Sequence, residues 1–406
     1  MSRIPFAFLI TALAAVAPVS AQEADGPVAY RAAKVYTADE AGMIDQGLLL
    51  VAADGSIAWV GRAAEAELDP EVPVVDLGDA WLVPGLIEPH CHVAGSLRDL
   101  NDMVFLTNPE LETEAIVEPG NEYLKDAVAG GVTTALLIPG SGTNLSGFGT
   151  LVKTAGDTQE EMIVRSPGSL KVAQSGNPER YSWFVGRALM NWNTRDTLEK
   201  GLAWAEAYRE GRAEWDPKWA NFVGLEDDTV PVSVHTQIYQ VVLETLVMQV
   251  QELGLSSFVD HGTFDGYKTA PLAVALGVPV MNGPRQFWFD RSTSRIVGCA
   301  AGWFAEDGIV LGYNTDAPVV PQEELPLQAA MGVRLGAGDS EDALRGMTAN
   351  ASKALLIEDV AGRLVPGLDA DFVAWSGDPV DPRSFVVATW VRGEKVYDAV
   401  EDGRRF

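Results

Sequence analysis

The sequence predicts an α/β fold: a (β/α)8 TIM-like barrel carrying a small β-sandwich domain built from both chain termini. Three observations predict it. Residues 28 to 82 and the stretch after about 354 read as short strands separated by turns. The residues between them alternate apolar strands with helical runs. Finally, His90, His235, His261 and Asp316 each close one of those apolar runs, where a barrel gathers its ligands.

Taken in order, residues 1–21 join a short basic start, the apolar run IPFAFLITALAAVAP and the small residues Val19-Ser20-Ala21 before Gln22. This is the grammar of a secretory signal peptide, so export to the periplasm or beyond is expected. The apolar run is short for a bilayer crossing and no stop-transfer pattern follows, so no stable membrane span is expected. Segments VAYRAAKVYT, GLLLVAADG, SIAWVGRA, PVVDLG and AWLVPG then read as strands, with Asp54-Gly55 as a hairpin signal. The same pattern returns in GRLVPGLDADFVAWSGD and FVVATWVRGEKVYD. Each segment is too small to bury a core alone, so 22–82 and 355–406 are assigned to one composite β-sandwich and 83–354 to the barrel.

Within the barrel, NEYLKDAVAGG precedes ALLIPG, VPVSVH precedes QVVLETLVMQVQELGL, SSFVDHG precedes YKTAPLAVALG, and GIVLGYNTD precedes PLQAAMGVRLG. Such alternation predicts a parallel sheet covered by helices. Residues 93–120 and 139–160, the latter containing PGSGTNLSGFG, are expected to be loops over the strand ends.

Composition narrows the function. With 57 acidic against 29 basic residues and a formal charge of -28, the surface repels nucleic acid and anionic membrane. A small-molecule or short peptide-like substrate fits better, and homo-oligomer formation stays open. Of the two cysteines, Cys91 lies between two histidines with its side chain expected to face away from theirs. A buried free thiol is expected, with a disulfide to Cys299 as the alternative.

The chain has four histidines. His90 and His92, two apart in an extended segment, face the same way and can share one ion. With His235, His261 and Asp316 at other strand ends they predict a metal centre. Imidazole and carboxylate suit Zn2+, with Mn2+, Fe2+ or Ni2+ admitted by the same ligands.

The segment PGLIEPHCH, the single histidines at 235 and 261, NTDAP at 314–318 and the closing TANASKALLIEDVAGRLVPGLDADFVAWSGDP together resemble the metal-dependent amidohydrolase superfamily. The likeness is greatest to imidazolonepropionase-like and dihydroorotase-like hydrolases, and it spans nearly the whole chain after the leader. It implies hydrolysis of a C–N bond (amide, peptide-like or cyclic amide) by a metal-bound hydroxide, with one or two ions. Where two are held, the resemblance implies a carboxylated lysine at the end of the fourth strand. Lys171 in SPGSLKVAQSGNPERY is the candidate, with Lys153 and Glu179 as weaker rivals. Similar sequences commonly read K-x-A-x-G-E-N-P here, and Gly176 stands at the glutamate position. In that arrangement His90, His92 and Asp316 hold one ion and His235 and His261 the other, with Asp316 as both ligand and catalytic base.

A deaminase of this type carries a glutamate three residues after the fifth-strand histidine. Ile238 stands there, so hydrolysis is preferred. Lactone or ester hydrolysis, and a non-catalytic metal-binding protein retaining the fold, remain as alternatives. Gln237, Tyr239, Arg285 and Tyr313 are the candidate substrate-binding residues. Arg285 suits a bidentate carboxylate clamp or an ion pair bracing its loop. Phe287, Trp288 and Phe289 either wall the pocket or pack beneath it, packing being preferred. The Gly-rich loop near Asn144 and Ser146 lacks the Lys-Ser/Thr ending of a phosphate grip.

Overall fold

The computed structural model describes residues 26–95, 102–174, 176–179 and 184–406. The expected leader at 1–21, and Arg180, Tyr181 and Trp183 beside the Lys171 segment, lie outside them. The first strands are β1 (Val28–Tyr36), β2 (Met43–Val51), β3 (Ile57–Arg62), β4 (Val74–Asp76) and β5 (Trp81–Pro84). The chain then passes into β6 (Leu86–Cys91), β7 (Val132–Leu137), β8 (Leu145–Lys153), β9 (Ile163–Ala173), β10 (Val232–Thr236), β11 (Ser257–His261) and β12 (Val280–Asn282). A separate hairpin, β13 (Phe287–Asp290) and β14 (Arg295–Gly298), precedes β15 (Leu311–Tyr313). The terminal strands are β16 (Phe372–Trp375), β17 (Val386–Val391) and β18 (Glu394–Asp398).

One eight-stranded sheet unites both ends of the chain in the order β18-β17-β16-β5-β1-β2-β3, with β4 also on β1. Its seam is the antiparallel pairing of Phe372 with Pro84 and Trp375 with Trp81. Tyr30, Phe372 and Trp390 form its aromatic centre, with Phe372 and Trp390 stacked at 4.6 Å. At the β2–β3 turn Gly55 takes φ +80, and a Cβ there would lie 2.3 Å from the Arg392 carbonyl oxygen. Only glycine fits both constraints.

The second eight-stranded sheet runs β15-β12-β11-β10-β9-β8-β7-β6 and forms the nearly closed barrel. Its two edges meet where His92 N donates to the Ala317 carbonyl at 2.8 Å. Helices between successive strands cover the outside, the longest being Arg187–Arg209. Inside, near the amino ends of the strands, Ile87, Phe258 and Met281 pack against Ala351, Ala354 and Leu355 of a late helix. This plug leaves the carboxyl ends for chemistry.

One expectation is overturned. Residues 139–160 are not a loop throughout: β8 lies within them, entirely buried and antiparallel to both neighbours. Its glycines and serine read as loop composition, yet they are there to let backbones approach. A Cβ on Gly147 would meet the Leu111 carbonyl oxygen at 2.6 Å, and one on Gly149 the Leu137 carbonyl oxygen at 2.5 Å.

The two sheets are joined by charge as well as apolar contact. Lys153, fully buried at the end of β8, lies 2.6 Å from Asp371 and 2.8 Å from Asp369, just ahead of β16. Asp371 also accepts from the Arg392 backbone amide. Among the described residues no helix is long and apolar enough to cross a membrane. Replacing Lys153 with Met strips Asp371 of its buried partner. The expected outcome in urea unfolding is a loss of roughly 3–5 kcal/mol; a loss within error would show that the triad does not join the sheets.

Candidate metal centre

Strand alternation delivers the first ligands. All of β6 is buried, and Cys91 turns outward with its Sγ 3.4 Å from the Leu136 carbonyl oxygen. His90 and His92 therefore turn inward. Cys91 and Cys299 are both free and buried, so the alternative disulfide is not formed. In the adjoining strands Lys171 pairs in register with Ser233, His235 with Asp260, and Thr236 with His261. His261 and Asp316 leave their strands with φ +70 and +52. Left-handed backbone at a non-glycine residue costs on the order of 1–3 kcal/mol and collects at functional sites. Here it re-aims two side chains past the point where alternation would fix them.

The result is one connected group of imidazoles. Ring centroids are 5.2 Å apart for His90 and His92, 4.6 Å for His90 and His261, and 4.4 Å for His235 and His261. Asp316 Oδ1 lies 3.1 Å from Nε2 of both His90 and His92. The ligand atoms of these three residues lie within 4.8 Å of one another, and they form a site for a single divalent cation. Burial alone would raise the Asp316 pKa; His90, donating from Nε2, outweighs it and holds the carboxyl well below its usual value.

Proton placement tests whether a cation fits. His92 Nδ1 lies 2.8 Å from the Ile138 carbonyl oxygen and His261 Nδ1 2.7 Å from that of Gly283. A carbonyl only accepts, so each Nδ1 carries the proton. Burial keeps both rings neutral, pushing His261 down to about 4 and lowering His92 against the pull of Asp316. A lone pair on His92 Nε2 then faces a carboxylate oxygen, two acceptors at 3.1 Å with no proton between them. His235, lowered well below its ordinary value by burial and by His261, leaves Nε2 buried with no partner among the described residues. Lone pairs so arranged fit a cation, with each Nδ1 contact fixing a ligand's tautomer.

Two buried acids complete the site that sequence reasoning did not single out. Asp260 Oδ2 lies 2.9 Å from His90 Nδ1 and 3.6 Å from Lys171 Nζ, and accepts from Ser233 Oγ. Burial opposes its ionisation, but His90 and Lys171 win and set its pKa at about 2. Glu88 accepts from His90 N at 3.0 Å on one oxygen, and on the other from Thr315 N and Thr315 Oγ1 at 3.0 and 2.6 Å. Burial, partly opposed by the Thr315 bond, pushes its pKa up to about 8. A signal existed for both: Asp260 adjoins a ligand histidine, and Glu88 is an acid two residues before His90 in an otherwise apolar run.

The other nominated residues divide. Lys171 is fully buried with Nζ 3.4 Å from His90 Nε2, so it joins the group. Burial lowers its pKa against the pull of Asp260. Lys153 belongs to the link between sheets, and Glu179 pairs with Arg187. Gln237 and Tyr239 are half-buried just beyond β10. Arg285 is exposed, with its guanidinium 5.3 Å above the Phe264 ring. No carboxylate among the described residues pairs with it.

Tyr313 is a correction: it does not face substrate. It lies in the hydrophobic cluster behind the wall, beside Leu325, Ala329 and Leu344, because strand alternation turns it outward. Phe287 and Phe289 are likewise not packed beneath the pocket, being 51% and 55% exposed on their hairpin.

A barrel with this inward group of histidines, lysine and aspartate defines a metal-dependent hydrolase. Residues 294–404 match the Amidohydrolase family. An imidazolonepropionase from Pseudomonas putida is 26% identical over 388 residues, covering 87% of this chain and 92% of that protein. One from Pseudomonas fluorescens is 24% identical, covering 93% and 96%. The solved structure of an amidohydrolase from Thermotoga maritima superposes with a TM-score of 0.80 at 28% identity, covering 91% of this chain and all of that one. In fold and sequence the chain is homologous to the amidohydrolase superfamily and imidazolonepropionase-like.

Asp260 fixes His90 as Ile138 and Gly283 fix His92 and His261. Asp260→Asn is therefore expected to weaken divalent-metal affinity by roughly 10–100-fold, measured by equilibrium dialysis on protein whose circular dichroism is unchanged. Unaltered affinity would remove Asp260 from the site.

Proposed function

We propose that this protein is a metal-dependent hydrolase that cleaves C–N bonds in a small amide, cyclic amide or short peptide-like substrate. The observation that carries this reading is the convergence of the His90 and His92 Nε2 atoms on Asp316 Oδ1 at the carboxyl ends of the barrel strands. His90, His92 and Asp316 would hold the cation, Zn2+ being the first choice for this donor set and Mn2+, Fe2+ or Ni2+ the others. When bound, a divalent cation supplies Lewis acidity, acidifying water and polarising a carbonyl.

The chain's own groups do the rest. Asp316, held ionised beside His90, accepts a proton on its carboxylate from the attacking water and returns it to the departing nitrogen. His92 and His261 stay fixed by the Ile138 and Gly283 carbonyls, so no reorientation is needed during attack. We assign Lys171 as the site of carboxylation. Its amine, made easier to deprotonate by burial, adds to carbon dioxide and releases one proton, giving a carboxylate beside His90. That group would let His235 and His261 take a second ion.

Substrate contacts fall to Gln237, Tyr239 and Arg285, the last offering a carboxylate a guanidinium that has no ion-pair partner among the described residues. Ile238 provides no proton carrier for deamination; esters and lactones stay as competing substrates. The leader-like residues 1–21 support a periplasmic or secreted location.

Asp316→Asn is expected to keep the fold and most of the metal while lowering turnover of N-acyl amino acids, dipeptides or cyclic amides by about 100-fold or more. Near-normal turnover would end its role in proton transfer. Lys171→Ala is expected to lose one bound ion per chain by elemental analysis. Unchanged stoichiometry would leave a single-ion centre without a carboxylated lysine.

A further inference from the structure

The β13–β14 hairpin stands apart from both large sheets and projects just beyond the carboxyl end of β12. Its register sets Phe289 opposite Ile296 and Phe287 opposite Gly298, on one face of the ribbon. That face is open: Phe287, Phe289 and Ile296 are 51%, 55% and 67% exposed. The other face is half-buried, with Trp288 edge-on to Phe264 at 6.1 Å. The turn is stiff, because Asp290 accepts from Ser292 N, Ser292 Oγ and Thr293 Oγ1 at 2.6–3.0 Å. Three large apolar side chains are thus held outward on a preorganised ribbon, which is costly in water unless something covers them.

Charge says what covers them. Between residues 287 and 298 the hairpin carries Arg291 and Arg295 against the single acid Asp290, in a chain with 57 acids and 29 bases. Both arginines are exposed, and neither forms an ion pair among the described residues. A second copy of the chain offers the complementary surface. Its cleft of about 440 Å³ is bordered by Glu199, Glu206 and Asp228 and floored by Leu202, Leu225 and Leu253. Hairpin against hairpin would set arginines against arginines, whereas hairpin against cleft sets apolar groups on apolar groups and bases on acids.

We propose that this hairpin is a self-association surface that docks into the acid-bordered cleft of a second copy. The hairpin leaves the barrel at the carboxyl ends of its strands, while the cleft reaches Leu255, just before the amino end of β11. The contact is therefore heterologous, joining unlike surfaces, and repeats around a ring or along a chain of copies.

Sedimentation velocity of the full-length protein tests this. Wild type is expected to associate at about 10 µM and to dissociate as salt rises. Phe289→Ser with Ile296→Ser is expected to weaken association by roughly tenfold or more, with Val400→Ser as an exposed control that changes nothing. Arg291→Glu with Arg295→Glu, and separately Glu199→Arg with Glu206→Arg, are each expected to give monomers; mixing the two charge-reversed proteins is expected to restore assembly. Monomeric wild type, assembly unaffected by the hairpin variants, or no restoration on mixing overturns the proposal. So does a monomer whose hairpin binds phosphatidylcholine vesicles instead.

Discussion

The structure is organised around an arrangement of acceptors that water-free protein cannot leave unsatisfied. His92 points a lone pair at Asp316, and His235 points one at no partner among the described residues. In a buried site such an encounter is unfavourable unless positive charge stands between the groups. A proton on His90 supplies part of it, since Asp260 raises that ring's pKa against the effect of burial. A divalent cation held by His90, His92 and Asp316 would relieve the facing pair of acceptors. The carbonyls of Ile138 and Gly283 matter here because they hold the imidazoles in the tautomer that creates the need.

The barrel is closed by the same residues that make the centre. Glu88 binds the backbone of His90 with one oxygen and Thr315 with the other, so β6 is held to the exit of β15 beside Asp316. The His92 amide completes the closure on Ala317. Ligand spacing and barrel closure are one constraint: a shift at either edge moves ligands relative to each other. The left-handed conformations of His261 and Asp316 belong to this economy, since each places a side chain where regular strand geometry would not.

Most of the centre was legible because period and placement say the same thing. His90 and His92 are two apart on a buried strand, and His235, His261 and Asp316 end apolar runs. The terminal sheet was legible from recurring short strands. What escaped did so for identifiable reasons. An aspartate beside a histidine carries no sign of its partner in the chain, and only three-dimensional pairing sets Asp260 against His90 and Lys171. Tyr313 was misplaced because counting back from Asp316 ignores the change of backbone direction between them. The β8 strand was hidden by glycines whose purpose is close backbone approach, and Phe287 and Phe289 by the assumption that neighbouring aromatics share a core.

The pairing of β5 with β16 has a consequence for how the molecule comes to exist. Strands β1 to β5 emerge early, yet one edge of their sheet has no partner until the whole barrel and then Phe372–Trp375 have followed. Contacts so distant along the chain form slowly, and an open sheet edge waiting for them invites pairing with other chains. Biogenesis therefore favours holding the nascent polypeptide unfolded until it is complete, which is also the state in which a chain can be threaded across a membrane.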